Sequence, residues 1–438
     1  MIQYNGVISA DAVKLLMEQF TTTIQPQRNM MYRYYLNTNP VPNEKNMENP
    51  TRDAEAYYIT KTAVNYFIGN PVIYETIESQ QAELDTILDL YHKQNKSSLD
   101  NLLATDTSIY GVGYELVYKD EASETKSAKL DPKQTFVVYD YKIVPEPVFG
   151  FYYQTKGSYK EVTVYDNENR YIFKEVKKGK TTSYTMTEME QHFFKELPII
   201  EAKNNSEQYG DFQRVVSLID ALNMVESNSI EDIQKHINSL LKLIGYTLGD
   251  TPEEQLENAM LVKKAGVIEI PDGGDAGFIS NTLTQADVQV LKDNLMRKIH
   301  MYSFVPNLTD DSFANNVSGV AMKYKLLGLD NLMLEKSRFF DVNLKKRLEL
   351  YDSMIINGET LGGGLDLTEV KITYTRNLPN NDVETATMVA TLSPTGTVSK
   401  ETLSGQLSFV DDPEAEVEQA SKETVGNTDF INDTVIVE

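Results

Sequence analysis

Apolar side chains recur at helical spacing over residues 10–36, where Ala12, Leu15, Leu16, Phe20 and Ile24 share one face. The polar stretch from Asn37 to Pro50 that follows is rich in Asn and Pro and predicts a loop or an extended arm. Three further helices are expected. One spans about 53–68, with Ala56, Ile59, Ala63, Tyr66 and Phe67 on one side and a stop at Gly69-Asn70-Pro71. Another covers about 79–94 through Leu84, Ile87, Leu88 and Tyr91, and a third about 97–109, ending at Gly111 and Gly113. From Gly113 to about residue 200 the period changes to two. Strand-forming runs appear at 114–118, 135–139, 149–153, 162–165 and 171–173, divided by charged turns. Their many tyrosines suit strands with one apolar and one wet face.

After Leu197-Pro198-Ile199-Ile200 the helical period returns: Val215, Ile219, Leu222, Ile230, Ile233, Ile237, Leu240, Leu241 and Ile244 keep three- and four-residue steps. This predicts one helix over 211–243, kinked near Ser227-Asn228-Ser229 and roughly 50 Å long. A small α/β module is expected next. It has a strand at 245–250, a helix opened by Thr251-Pro252-Glu253-Glu254, a strand at 266–270, a turn at 271–274 and a strand at 277–280. The helical pattern resumes at Asp287 with Val288, Leu291, Leu295, Ile299 and Tyr302. The layout is a stalk with a head: out on one helix, about 40 residues of compact α/β, back on another. A polar loop, 305–317, then leads to a long helix from Ser318 to about Asn357. A short strand is predicted at 370–374. The C-terminal end is expected to lack structure after about Val425.

Length and composition narrow this picture. A chain of 438 residues predicts two or three structural regions. No run of about 18 apolar residues occurs, and Met1 to Gly6 lacks the basic and apolar parts of a signal peptide. A chain that stays in a cytoplasm, or enters a particle assembled there, is expected. The absence of cysteine removes disulfides, thiolate nucleophiles and cysteine-ligated zinc. His92, His192, His236 and His300 fall in no metal-binding spacing and read as ordinary surface or core histidines. The net charge of −24 would repel a polyanion on average, so the chain is not built to grip DNA tightly. Against that background residues 318–351 hold seven Lys/Arg and four Asp/Glu, whereas the last 39 residues hold ten acids and two lysines. The first is a basic face that solvent alone could explain.

The chain holds no GxxxxGK[ST] loop, no GxGxxG after a strand and no GxSxG elbow. Asp310-Asp311 and Asp411-Asp412 lack further ligands at suitable spacing. The expectation is therefore a protein with no catalysis of its own, no cofactor and no metal.

Several stretches, in order over residues 50–410, resemble the portal protein family of long-tailed phages of Gram-positive bacteria. The most specific are Phe304-Val305-Pro306-Asn307-Leu308 and Ser318-Gly319-Val320-Ala321-Met322-Lys323-Tyr324-Lys325-Leu326. Phe67 to Val72, Leu197 to Ile200, Gly210-Asp211-Phe212, Leu218 to Asn223 and Val398 to Leu403 support them. The resemblance implies an α+β portal fold with long stem helices, a small α/β clip, a mixed α/β wing and a short helical crown. It assigns 1–210 to the wing, 211–243 and 286–304 to the stem, 244–285 to the clip, 305–317 to a tunnel loop, 318–375 to a long helix returning to the wing, and 376–425 to the crown, with 426–438 as a disordered tail.

The same resemblance implies a ring of twelve copies at one capsid vertex, conducting double-stranded DNA without reading its sequence. Its expected partners are the terminase large subunit, head-completion or adaptor proteins, and the scaffolding and major capsid proteins; no membrane is involved. The expected location is the virion, with assembly in the host cytoplasm. Asn307, Thr309, Asp310, Asp311, Ser312, Asn315, Asn316, Lys323 and Lys325 would border the channel. Thr251, Glu253, Glu254, Lys263, Lys264, Asp272 and Asp275 would form the surface that terminase or connector proteins bind. Another ring-forming head–tail connector or tail protein is the alternative; a phage nuclease or protease would need acidic or histidine clusters that are not apparent in the sequence.

Overall fold

The computed structural model describes residues 1–179, 181–192, 194–237, 240–244, 248–265, 275–279, 285–309, 319–357, 364–376, 382–407, 410 and 412–432. Helix and sheet are mixed along the chain.

The N-terminal helical run is continuous but not uniform. Ser9 accepts a hydrogen bond from Ala12 N (3.2 Å) to cap α1 (Ala10–Gln19), which passes through a π turn at Phe20–Ile24 into α2 (Gln25–Tyr35). The π turn has a local cause. Thr21, Thr22 and Thr23 each donate a hydroxyl to the carbonyl four residues back, and Pro26 supplies no N–H. Buried Val13, Leu16, Met17 and Phe20 lie against a six-stranded sheet. Its order is β1 (Ile2–Gln3), β5 (Thr135–Tyr139), β6 (Pro147–Lys156), β7 (Tyr159–Tyr165), β8 (Asn169–Lys178), β9 (Thr181–Gln191). Only β1 runs parallel to its neighbour. Phe136 stacks between Phe20 and Phe151, with ring centroids 4.5 and 4.6 Å apart.

A second core gathers α2, α3 (Glu55–Ile68), α5 (Lys96–Tyr110) and a three-stranded sheet ordered β10 (Ile199–Lys203), β3 (Val112–Lys119), β4 (Thr125–Leu130). It continues onto α6 (Val216–Ile237), α8 (Gln285–Ser303) and α9 (Gly319–Asn357). The turn between α5 and β3 requires glycine. Gly111 has φ +80°, and a Cβ there would lie 1.9 Å from the Gln208 carbonyl oxygen. A third cluster joins α4 (Gln81–Lys93) to the end of α9, beside the pair of β2 (Ile73–Glu75) with β13 (Lys371–Thr373).

The stalk differs from its sequence reading at both ends of its first helix. After a 3-10 turn at Gln213–Val215, α6 runs unbroken past Ser227 but ends at Ile237, about 33 Å long. Leu240–Ile244, expected to be helical, is strand β11 and pairs antiparallel with β12 (Asp275–Ile279), Leu240 opposite Ile279 and Ile244 opposite Asp275. A run of five such residues satisfies either period, and the partner strand decides it. Of the strand expected at 245–250, residues 248–250 are not strand. The strand at 266–270 and the turn at 271–274 lie outside the described residues. α7 (Pro252–Ala265) opens as predicted with a capping box: Glu254 N donates to Thr251 Oγ1 and Glu254 Oε2 accepts from Thr251 N, both at 3.3 Å. At the C-terminal end are α10 (Asp382–Leu392), α11 (Lys400–Ser404) and α12 (Pro413–Asn432), the last extending into the stretch expected to lack structure.

Candidate functional site

The site with the most distinctive construction is the path from α8 through residues 304–309 to α9. α9 is 39 residues long, about 58 Å. Its buried residues follow mostly alternating three- and four-residue steps: Leu326, Leu329, Met333, Lys336, Phe340, Asn343, Arg347 and Tyr351. Three are polar, and two of those are held by charge. Lys336 Nζ donates to Asp211 Oδ2 (2.6 Å), which also accepts from Ser108 Oγ (2.6 Å), while Asn204 Nδ2 donates to the other carboxylate oxygen (2.8 Å). Arg347, with no exposed surface, forms a bidentate pair with Glu115 through Nε (2.7 Å) and Nη2 (2.9 Å). Its Nη1 lies 2.6 Å from Asp100 Oδ1. Burial and then Arg347 set Asp100: burial pushes its carboxyl up and the guanidinium opposes it. Lys96, over the Tyr351 ring, is pulled down to about 8, chiefly by burial. Two cations thus meet two carboxylates in one buried cluster.

The opposite face of α9 is exposed, with Lys323, Tyr324, Leu327, Asn331, Leu334, Arg338 and Val342 reaching solvent. At the start of this path α8 ends at Ser303, and Phe304 turns the chain with φ +60°, a left-handed conformation unusual for a bulky residue. A Cβ at Gly328 of α9 would lie 3.6 Å from Phe304 Cδ1, so the ring packs where α9 has no side chain.

Of the residues expected to border a channel, Asn307 is half-buried and Thr309 exposed beyond this corner. They are bonded to each other: Thr309 N and Oγ1 both donate to Asn307 Oδ1, at 3.0 and 2.6 Å. The Asn307 side-chain oxygen is thus spent within the turn. Lys323 is exposed and Lys325 half-buried on the first turns of α9. Asp310, Asp311, Ser312, Asn315 and Asn316 lie outside the described residues. In the small module Thr251, Glu253, Glu254 and Lys264 are exposed on α7, with Leu256, Met260 and Leu261 beside them. Lys263 lies on the same helix and Asp275 opens β12; Asp272 is outside the described residues.

Sequence reasoning missed Arg347, Glu115, Asp100, Lys336 and Asp211 as a frame, and Glu55, Tyr58 and His300 as a cluster. Cations on the apolar stripe of α9 were the signal available for the first set. Among the described residues no group of three or more His, Asp or Glu could hold a metal ion, and no helix is long and apolar enough to cross a membrane.

The class defined by these features is an α+β chain organised on long helices, with a sharp corner at residues 304–309 after one of them. The sequence profile of phage portal proteins, SPP1 Gp6-like, matches residues 20–428. The chain is 22% identical to the portal protein of Bacillus phage SPP1 over 381 residues, 82% of this chain and 73% of that one. It is 29% identical to the portal protein of Clostridium phage phiCD119 over 241 residues, 53% of this chain; that match spans about half of the relative, 49%. A chain from the neck of an empty GTA particle is similar at 15% identity and a TM-score of 0.48, over 86% of this chain and 92% of that one.

This chain belongs to the SPP1 Gp6-like family of phage portal proteins. That family is structural rather than enzymatic, and its members are virion components.

Proposed function

We propose that this chain is one subunit of a twelve-membered portal ring at a single capsid vertex, through which double-stranded DNA enters during packaging and leaves on ejection. The observation that carries this reading is the family match over residues 20–428. The antiparallel excursion of α6 and α8, capped by the β11–α7–β12 module and followed by a polar corner, agrees with it. Residues 1–210 are the wing, to which the long helix of 318–375 returns, α6 and α8 are the stem, and 376–425 the crown. The clip starts at β11, a few residues earlier than 244, and continues to 285. The loop 305–317 faces the channel. A net charge of −24 suits a conduit, because DNA slides past carboxylates and amides without the phosphate pairs that would hold it. Asn307 and Thr309 give weak, sequence-blind contacts, and Lys323 and Lys325 set a local positive ring near the loop.

The terminase large subunit docks on the exposed face of α7, hydrolyses ATP and drives DNA through a passive channel. Head-completion or adaptor proteins later occupy the same face, while scaffolding and major capsid proteins surround the wing. The chain binds no cofactor and catalyses nothing.

Electron microscopy of the purified full chain tests this. A turbine-shaped ring with a central hole is expected; monomers, or discs without a stem, would overturn the reading. ATP hydrolysis by the purified protein at motor-like rates would overturn the division of labour.

A further inference from the structure

The corner between α8 and the loop is held by residues from a part of the chain nearly 250 positions away. Tyr58 of α3 donates its hydroxyl to the Pro306 carbonyl (3.0 Å) and accepts from Leu308 N (2.9 Å). One side chain thus supplies both halves of a backbone-like clamp on either side of Asn307. The Tyr58 and His300 rings meet at right angles, centroids 5.6 Å apart and planes at 89°. Val305, between His300 and the clamp, is fully buried.

His300 sits at the end of α8, with Nδ1 2.9 Å from the Val305 carbonyl oxygen. A carbonyl only accepts, so Nδ1 carries a proton and donates. In a neutral ring Nε2 then holds a lone pair and itself needs a donor. The group facing it is the Glu55 carboxyl, Oε2 at 3.6 Å, and neither atom has a hydrogen-bond partner among the described residues. A bare carboxylate facing a lone pair in a buried site is repulsive. One proton between them removes the conflict, making Glu55 the donor or His300 a cation.

We propose that Tyr58, His300 and Glu55 form a latch that fixes the root of the loop, residues 304–309, and that one proton shared by Glu55 and His300 keeps it closed. The geometry stands on its own; the portal reading is needed only to say that the loop so positioned faces DNA. Two features mark the corner as a place where position is set rather than inherited from the helix. Phe304 is held at positive φ, a conformation that persists only where its surroundings enforce it. The clamp is also made by α3, not by α8 or α9, so it fixes the loop root relative to the second core.

The charges around the pair agree. Burial, then the negative charge of Asp53, pushes the Glu55 carboxyl up to about 7, and burial pulls His300 down. Both directions favour a protonated carboxyl donating to a neutral imidazole. From α6, Glu226 faces Asp53, and from α8, Lys292 pairs with Glu226 at 2.8 Å. The N-terminal dipole of α3 favours the Glu55 anion, but burial outweighs it. A carboxyl whose folded pKa lies above its unfolded value stabilises the closed form below the unfolded value, and that contribution is lost as pH rises toward about 7. The latch therefore loosens from mildly acidic to alkaline pH.

Hydrogen–deuterium exchange on the purified full chain, corrected for the intrinsic pH dependence of exchange, tests the latch. Tyr58→Phe is expected to speed exchange at Leu308 about tenfold, the effect of losing one net hydrogen bond, with β5–β8 unchanged. In the natural chain, protection of 304–309 falls between pH 6 and 8. Glu55→Gln supplies a permanent amide donor to His300 Nε2 and should make that protection independent of pH. Unchanged exchange at Leu308 in Tyr58→Phe, or a pH dependence that survives Glu55→Gln, would overturn the proposal. A variant that loses protection throughout the molecule would overturn it too, because the effect would then be general destabilisation. Ring formation read by microscopy on the same samples tests the portal reading separately, since the exchange outcomes hold whether or not rings form.

Discussion

Replacing Arg347 with Met asks how strongly α9 is bonded to the frame behind it. The side chain has no exposed surface and satisfies Glu115 in bidentate fashion while touching Asp100 at 2.6 Å. Removing one partner of a buried ion pair typically costs about 3–5 kcal/mol, because the other partner stays buried and uncompensated. Here two carboxylates lose their cation, but Lys96 remains in the cluster and recovers part of the loss. The expected cost is therefore near the lower end, about 3 kcal/mol. Adding Glu115→Gln and Asp100→Asn removes both stranded charges and should restore at least half of it. Unpaired buried carboxyls lower their cost by binding protons, so the defect should shrink at pH 5 relative to pH 7.5. The chain has no tryptophan, so urea unfolding is followed by far-UV circular dichroism, at one fixed concentration because assembly adds to apparent stability. An Arg347→Met chain within about 1 kcal/mol of the natural one would refute the reasoning, as would a defect that grows on acidification.

Asn343 is buried on the same stripe, and neither polar atom of its side chain has a partner among the described residues. Asn343→Leu should raise stability by about 1–2 kcal/mol in urea unfolding, whereas a loss would show that the amide is satisfied in the folded protein. Gly111→Ala places a methyl 1.9 Å from a backbone oxygen at positive φ and should cost more than about 2 kcal/mol; unchanged melting would mean that the 204–211 segment moves freely. Lys323→Glu reverses an exposed charge and should leave ring assembly and melting unchanged while altering the salt dependence of DNA retention in filled particles. Identical retention at low and high salt in both chains would remove Lys323 from the channel.

Most helices were legible because each buries one face. The spacing that predicted 53–68 corresponds to α3 at Glu55–Ile68, and the long pattern from Ser318 to α9. Strands with alternating aromatics, such as Thr135–Tyr139, were equally plain. Others left little trace. β9 is an exposed edge strand rich in Thr, Glu and Met, and β2 has three residues whose partners lie almost 300 positions away. Leu240–Ile244 reads as either period, and the mate that makes it a strand is itself weakly patterned. The candidate site was legible as a long helix preceded by polar residues, of which 310–318 lie outside the described residues. Its supports were not, because ion pairs such as Arg347–Glu115 join residues 232 positions apart. A lysine or arginine on an apolar stripe is visible in sequence; its carboxylate is not.

Those supports answer a problem that the apolar stripe alone leaves open. Shifted by one heptad, α9 would still set apolar on apolar, with Leu326 moving to the place of Met333 and Met333 to that of Phe340. The same shift would take Lys336 away from Asp211, and Arg347 away from Glu115 and Asp100, stranding five buried charges. Hydrophobic burial holds the helix against the frame, and the two charge clusters select its register. They lie eleven residues apart on α9, about 16 Å. The first is shared: Asp211 stands just before α6 and also bonds Ser108 of α5 and Asn204 beyond β10. One buried carboxylate therefore ties the root of the outgoing helix, the helix behind the loop and the β3 sheet together. Together with the clamp from α3, this gives the loop root two fixed references, α9 in register on one side and Tyr58 on the other.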